Sequence, residues 1–75
     1  MKKLLEFIIE GILGKKDFTV TESTKEDFVN LAIKIPGKDT GLIIGKEGKT
    51  IKAIRNLLKV RATLERRGVS VSIEE

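Results

Sequence analysis

Two glycines, Gly45 and Gly48, interrupt a helical pattern in the second half of this chain. Asp39 is suited to cap a short helix over 40–44, and the helical spacing of apolar residues resumes over 49–66. Glycine adopts backbone conformations that other residues avoid, so the pair ends the first helix before the second begins. The sequence therefore predicts two helices that meet at this glycine turn.

The N-terminal part of the chain predicts a helix and then a strand. A helix over about 2–13, stopped by Gly14, is predicted by five apolar residues at helical spacing: Leu5, Ile8, Ile9, Ile12 and Leu13. Residues 17–22 alternate β-forming side chains and predict a strand. The polar run 23–27 predicts the turn that follows it.

Two further alternating runs complete the predicted fold. Residues 29–35 alternate apolar and polar side chains and end at Pro36, which cannot donate to a sheet. Gly68 ends the long helix, and 69–73 alternate as a last strand. The order αββααβ predicts an α+β fold with a three-stranded sheet packed on three helices. A length of 75 residues predicts one domain, 1–75.

The charge of the chain is unevenly distributed. It carries 15 basic and 11 acidic residues, a net charge of +4, and the whole excess lies in residues 38–75. This favours a polyanionic partner. The absence of His and Cys removes the usual general base and the commonest metal ligands. We therefore expect no catalytic residues, no metal, no cofactor and no small-molecule substrate.

The apolar N-terminal segment predicts no association with a membrane. Residues 4–13 are interrupted by Glu6 and Glu10 and are far shorter than the roughly 20 residues that span a bilayer. They also lack the small-residue cleavage site of a signal peptide. A cytoplasmic location is expected.

The surroundings of the glycine turn are suited to phosphate. Gly45 and Gly48 allow a sugar-phosphate backbone to approach the main chain, and Lys46 between them offers a positive charge. The turn precedes a helix N-terminus, whose free N–H groups favour anions. These features predict a nucleic-acid or phosphate site.

The long helix continues this pattern. Its helical spacing predicts a basic side, Lys49, Lys52, Arg55 and Lys59, and an apolar core side, Ile51, Ile54, Leu57 and Leu58. A row of charges on a helix is most often only a solvated face. Its position directly after the glycine turn favours the functional interpretation here.

At these residues the sequence resembles a known family. The run Ile43-Ile44-Gly45-Lys46-Glu47-Gly48, followed by Ile51 and Ile54-Arg55, is similar to the signature of the KH domain, an RNA-binding module whose glycine loop clamps about four nucleotides. The additional helix and strand before a βααβ core resemble the type II version of that fold. The whole chain is similar to the small single-domain bacterial KH proteins of the KhpA or YlqC-like type.

The resemblance implies that the protein binds single-stranded RNA as a post-transcriptional regulator or RNA chaperone. It also implies a homodimer, or a heterodimer with a second KH protein. The residues that it implies for the phosphates are Gly45, Lys46, Glu47 and Gly48, with Lys49, Lys52 and Arg55 steering the strand. Those that it implies for an apolar groove under the bases are Gly41, Ile44 and Ile51.

Two departures from a typical RNA-binding surface are visible. Glu47 places a negative charge in the loop, so we expect weak binding by one domain. The chain has three Phe and no Tyr or Trp, so only Phe18 or Phe28 is a candidate for stacking on bases. Phe7 is predicted to lie in the core.

Other function classes are weaker. A Walker phosphate loop ending at Gly48-Lys49-Thr50 would need glycine where the chain has Ile43. A DNA-binding helix-turn-helix remains an alternative, although its first helix would be only 40–44. A protein-interaction module that pairs through the first helix or a strand edge is the other alternative.

Overall fold

The computed structural model describes residues 1–74 and confirms the predicted αββααβ order. Its elements are α1 (Lys2–Leu13), β1 (Thr19–Lys25), β2 (Phe28–Lys34), α2 (Gly37–Ile44), α3 (Lys49–Leu64) and β3 (Gly68–Glu74). A single 3₁₀ turn, Lys46–Gly48, lies between α2 and α3. The predicted two-layer architecture, with three helices packed on a three-stranded sheet, is therefore confirmed.

The sheet has the order β1-β2-β3 and mixes both strand directions. β1 and β2 form an antiparallel hairpin in which Val20 lies opposite Ile33. β2 and β3 run parallel, with Leu31 opposite Val71. A parallel pair needs a crossover connection, and α2 and α3 provide it. The crossover carries the glycine turn.

One hydrophobic core lies between the sheet and the helices. The strands contribute the buried residues Val20, Val29, Leu31, Ile33 and Val71. The helices contribute Leu5, Ile9, Ile43, Ile51, Ile54, Leu58 and Ala62. The predicted inward positions of Ile43 and Ile54 are confirmed, with 0% and 2% exposure.

The hairpin between β1 and β2 is tighter than predicted. β1 begins at Thr19 and continues to Lys25, and the chain reverses only at Glu26 and Asp27. The predicted strand 17–22 was therefore wrong at both ends, and the predicted turn 23–27 began too early but ended at the right residue. The residues at the end of β1 have polar side chains that face solvent, but their backbone still pairs with β2. A polar run is also typical of a turn, so the sequence did not distinguish the two.

The first turn of α2 also differs from the prediction. The helix begins at Gly37 after Pro36, and Asp39 lies inside the first turn and does not cap it. The Asp39 side chain is buried, and its Oδ2 lies 3.0 Å from the Lys15 ammonium. An ion pair between the end of α1 and the start of α2 thus replaces the predicted cap.

The end of α3 and the bounds of β3 differ slightly from the prediction. α3 ends at Leu64, not at 66, because Arg66 adopts a left-handed conformation with φ 58°. The Arg67 N–H then donates to the Ala62 carbonyl at 2.8 Å. This pattern closes a helix and is usually formed with glycine at the left-handed position. β3 follows at once.

Two side chains predicted in the core are exposed. Leu57 is 56% exposed, because it lies about 100° around α3 from Leu58. Phe7 is 77% exposed, on the side of α1 opposite to Leu5 and Ile9. α3 therefore has a second apolar stripe that residues 1–74 do not cover, and α1 carries one strongly exposed aromatic side chain.

The phase of α3 can be tested with one pair of substitutions. We expect Ile54→Asp to unfold the protein, because a buried unpaired carboxylate costs several kcal/mol and a domain of this size has little stability to lose. Leu57→Asp places the same side chain at an exposed position and should leave the fold intact. Circular dichroism melting curves measure whether each variant is folded. A folded Ile54→Asp protein would contradict the burial of Ile54 in the core.

Candidate nucleic-acid interface

Three of the four residues in the turn from Gly45 to Gly48 have a positive φ. Gly45 has φ 77° and ψ 176°, Glu47 has φ 56° and ψ 26°, and Gly48 has φ 76° and ψ 12°. The Gly45 N–H donates to the Gly41 carbonyl at 2.9 Å, and the Gly48 N–H donates to the Gly45 carbonyl at 3.2 Å. The turn is compact, and the side chains of Lys46 and Glu47 are exposed.

The two glycines of the turn are needed for different reasons. A Cβ on Gly45 would overlap the Thr50 side chain and lie 2.9 Å from the Thr50 nitrogen. The φ and ψ of Gly45 also belong to a region that essentially only glycine adopts. A Cβ on Gly48 meets nothing within 4 Å. Gly48 therefore leaves open space beside the start of α3.

Positive charge surrounds the turn. Lys46, Lys49 and Lys52 are exposed, and the ion pairs found within residues 1–74 do not include them. No side chain caps the N-terminus of α3, but the Lys49 N–H already donates to the Lys46 carbonyl. The positive end of the helix dipole, and not the Lys49 N–H, is what favours an anion here. The predicted loop residues and the first two predicted lysines of α3 are thus brought together.

Arg55 lies in a different position from the lysines near the turn. Its guanidinium donates to the Val71 carbonyl at 3.3 Å, on the free edge of β3. Arg55 therefore bridges α3 to the sheet. It retains further N–H donors for a ligand, because a guanidinium has five.

A groove of about 240 Å³ lies between α3 and the edge of β3. It is lined by Arg55, Lys59, Val69, Ser70 and Val71. Its apolar walls and polar rim are suited to a flat ring with hydrogen-bonding edges. Helical spacing predicted the basic side chains of Arg55 and Lys59. The contribution of β3 was not predicted, because spacing along one strand does not show which strand forms the edge.

The three residues predicted for the apolar groove are not equally accessible. Gly41 is exposed, and open space surrounds it. Ile44 is 37% exposed at the end of α2, next to the turn. Ile51 is only 7% exposed and belongs to the core cluster. The predicted role of all three under the bases stays a prediction.

Comparison with known proteins gives consistent matches over nearly the whole chain. A family profile described as "KhpA/KhpB, KH domain" matches residues 2–73. The chain is 38% identical over 74 residues to the RNA-binding protein KhpA of Clostridium perfringens, a match that covers 97% of this chain and 99% of that protein. It is 39% identical to the KhpA of Clostridium acetobutylicum over the same shares.

A chlamydial protein is also similar. The RNA-binding protein KhpA of Chlamydia trachomatis is 36% identical over 76 residues, a match that covers all of this chain and 97% of that protein. No solved structure matches the chain.

The different demands on the two glycines predict unequal effects of alanine. Gly45→Ala should lower the free energy of unfolding by about 2 kcal/mol or more, because it adds both a collision with Thr50 and a forbidden backbone conformation. Gly48→Ala keeps open space around the methyl group and should cost only about 1 kcal/mol. Urea denaturation of both variants measures the difference. Equal losses would show that the backbone of the turn differs from the one described.

Proposed function

The chain belongs to the KhpA/KhpB family of KH domains, and on that premise we propose that it binds single-stranded RNA at the glycine turn and in the α3–β3 groove. The observation that carries the proposal is the turn itself. Two glycines give the turn its positive φ angles, the lysines around it form no ion pair within residues 1–74, and no side chain caps the helix that follows. These are the requirements for holding consecutive phosphates.

The groove supports a single strand over a duplex as the ligand. Among the described strands β3 pairs only with β2, so the backbone groups on its other edge, apart from the Val71 carbonyl that Arg55 bonds, can bond base edges. Base edges are accessible in this way only where the bases are unpaired. Phosphates at the turn would then place the following bases beside Val69 and Ser70.

Membership in this family makes the protein an RNA-binding protein and not an enzyme, in agreement with the expectation from the sequence. We propose a role as a post-transcriptional regulator or RNA chaperone, which needs binding without chemistry. No helix within residues 1–74 has both the length and the apolar content to span a membrane. The cytoplasmic location stays a prediction.

A loop variant with two aspartates tests the RNA site. Lys46→Asp combined with Glu47→Asp should abolish binding of a ten-nucleotide single-stranded RNA, because like charges then face the phosphates. The fold should persist, since both side chains are exposed and Asp tolerates the left-handed position of Glu47. Fluorescence anisotropy measures binding. Lys3→Asp, on the exposed first turn of α1, changes the net charge by the same amount and should leave binding nearly unchanged.

The salt dependence identifies the contacts. Neutralisation of about three phosphates, by Lys46, Lys49 and Lys52, predicts a log–log slope of about −2 for the wild type. A preference for duplex DNA of the same length would support the helix-turn-helix alternative instead. An unfolded loop variant would show that the turn is not an exposed loop.

The second apolar stripe of α3 supports an additional proposal about partners. Leu57, Val60 and Leu64 are 56%, 61% and 74% exposed, and Ala53 extends their row by one turn. The row lies away from the core side and from Lys52, Arg55 and Lys59, while Lys49 lies one turn before Ala53 at the N-terminal end of the row. A second protein can therefore cover it while RNA occupies the turn.

We propose that a second copy of this chain covers this stripe. In an antiparallel pair of α3 helices related by a twofold axis, Leu57 faces Val60 of the other copy and Ala53 faces Leu64. Large and small side chains then alternate across the contact, and each contact occurs twice, as an isologous interface requires. A heterodimer with another KH protein that carries a similar stripe is the other outcome.

Charge placed on the stripe tests this interface. Val60→Glu should convert a dimer into a monomer, because it buries a carboxylate among apolar side chains at the centre of the contact. Lys52→Glu on the basic side of the same helix should leave the dimer intact. Sedimentation equilibrium at several concentrations measures the association. A wild-type protein that is monomeric at all concentrations would contradict self-association.

A further inference from the structure

An aromatic side chain lies on the sheet face that no helix covers. Phe28 begins β2 and is 44% exposed. The alternate residues Val29, Leu31 and Ile33 point into the core, so Phe28 lies on the outer face. Neither the core nor the RNA site described above uses this ring.

Gly68 fixes the position of the Phe28 ring. The two residues lie opposite each other in the parallel pair, and a Cβ on Gly68 would lie 2.6 Å from Cδ2 and 2.8 Å from Cε2 of Phe28. The ring therefore rests against the backbone of Gly68. One side of the ring is held by the protein, and its exposed part is available to a ligand.

The neighbours of Phe28 on this face are polar. Lys25 lies opposite Phe28 on β1, and Asn30 is the next residue of β2 on the same face of the sheet. The Ser70 hydroxyl donates to the Asn30 Oδ1 at 2.6 Å, which leaves the two N–H donors of the amide for another acceptor. A protein-docking site would surround the ring with further apolar side chains. A single ring among a cation and hydrogen-bonding groups is better suited to a stacked base.

Ser70 connects this face to the groove. It lines the groove between α3 and β3, and its hydroxyl also bonds to Asn30 on the outer face. The two surfaces thus meet around the edge of β3, near the connection that carries the exposed Arg66 and Arg67. An RNA strand can pass from one surface to the other beside these arginines.

We propose that Phe28 stacks a nucleobase of an RNA strand that leaves the groove at the C-terminal end of α3. The inference rests on the proposed function, because the strand must first be held at the glycine turn. α3 has 16 residues and is about 24 Å long. A strand of about four nucleotides at the turn therefore ends before Phe28, and a longer strand reaches it.

Oligonucleotides of two lengths test the stacking site. Phe28→Leu keeps an apolar cover on Gly68 but removes the aromatic face, so it should weaken binding of a ten-nucleotide oligoadenylate about tenfold. Binding of a four-nucleotide oligoadenylate should not change. Phe28→Tyr keeps the ring and should bind the longer strand like the wild type. Phe7→Leu, at the exposed phenylalanine of α1, is the matched control and should change neither affinity.

The outcomes separate this inference from the proposed function. If the wild type binds and the aspartate loop variant does not, but Phe28→Leu binds both lengths normally or weakens both equally, only the stacking site is overturned. If the wild type binds neither strand, the proposed function fails, and the stacking site fails with it.

A measurement on the wild type covers the case in which Phe28→Leu does not fold. Nuclear magnetic resonance shifts of the Phe28 ring and the Gly68 amide should change on addition of the longer strand and not of the shorter. Shifts confined to the turn and the groove with both strands would overturn the stacking site.

Discussion

The parallel pairing of β2 with β3 determines where the other functional elements lie. Parallel strands cannot be joined by a tight turn, so α2 and α3 must cross the same face of the sheet between them. The point where the two helices meet then falls at one end of the domain, and the glycine turn occupies it. The same pairing leaves β3 at the edge of the sheet, beside α3, which creates the groove. The turn and the groove thus adjoin because of one strand pair.

α3 carries three different surfaces on one helix. Its core side, with Ile54 and Leu58, holds the helix against the sheet. Its basic side continues from the turn towards Lys59, and its second apolar side carries Val60 and Leu64. About four residues per surface fit on a helix of this length, so most positions of α3 serve one of the three. This explains why α3 has a narrow core stripe, and why its aliphatic residues cannot all be assigned to the core.

Local patterns in the sequence predicted the fold and the turn well, and tertiary contacts account for what they missed. The glycine pair and the alternation of β2 correspond to local backbone preferences, and both are confirmed. Asp39 was misinterpreted because its partner, Lys15, is distant in sequence. Leu57 and Phe7 were assigned to the core because apolar character does not show whether the protein itself covers a residue. The contribution of Ser70 to the groove depended on strand order, which alternation within one strand does not contain.

The arrangement of the surfaces of α3 has a consequence for affinity. Glu47 opposes the lysines of the turn, and few cations are available, so one domain should hold RNA weakly. In the proposed dimer, joined through Val60 and Leu64, both turns would remain open, because Lys52, Arg55 and Lys59 lie outside the contact. A strand bound at one turn then meets the second at a high effective concentration, and the combined affinity exceeds that of either site alone. The exposed stripe and the weak loop would then be complementary, because the proposed self-association would supply the affinity that the charge of a single turn does not.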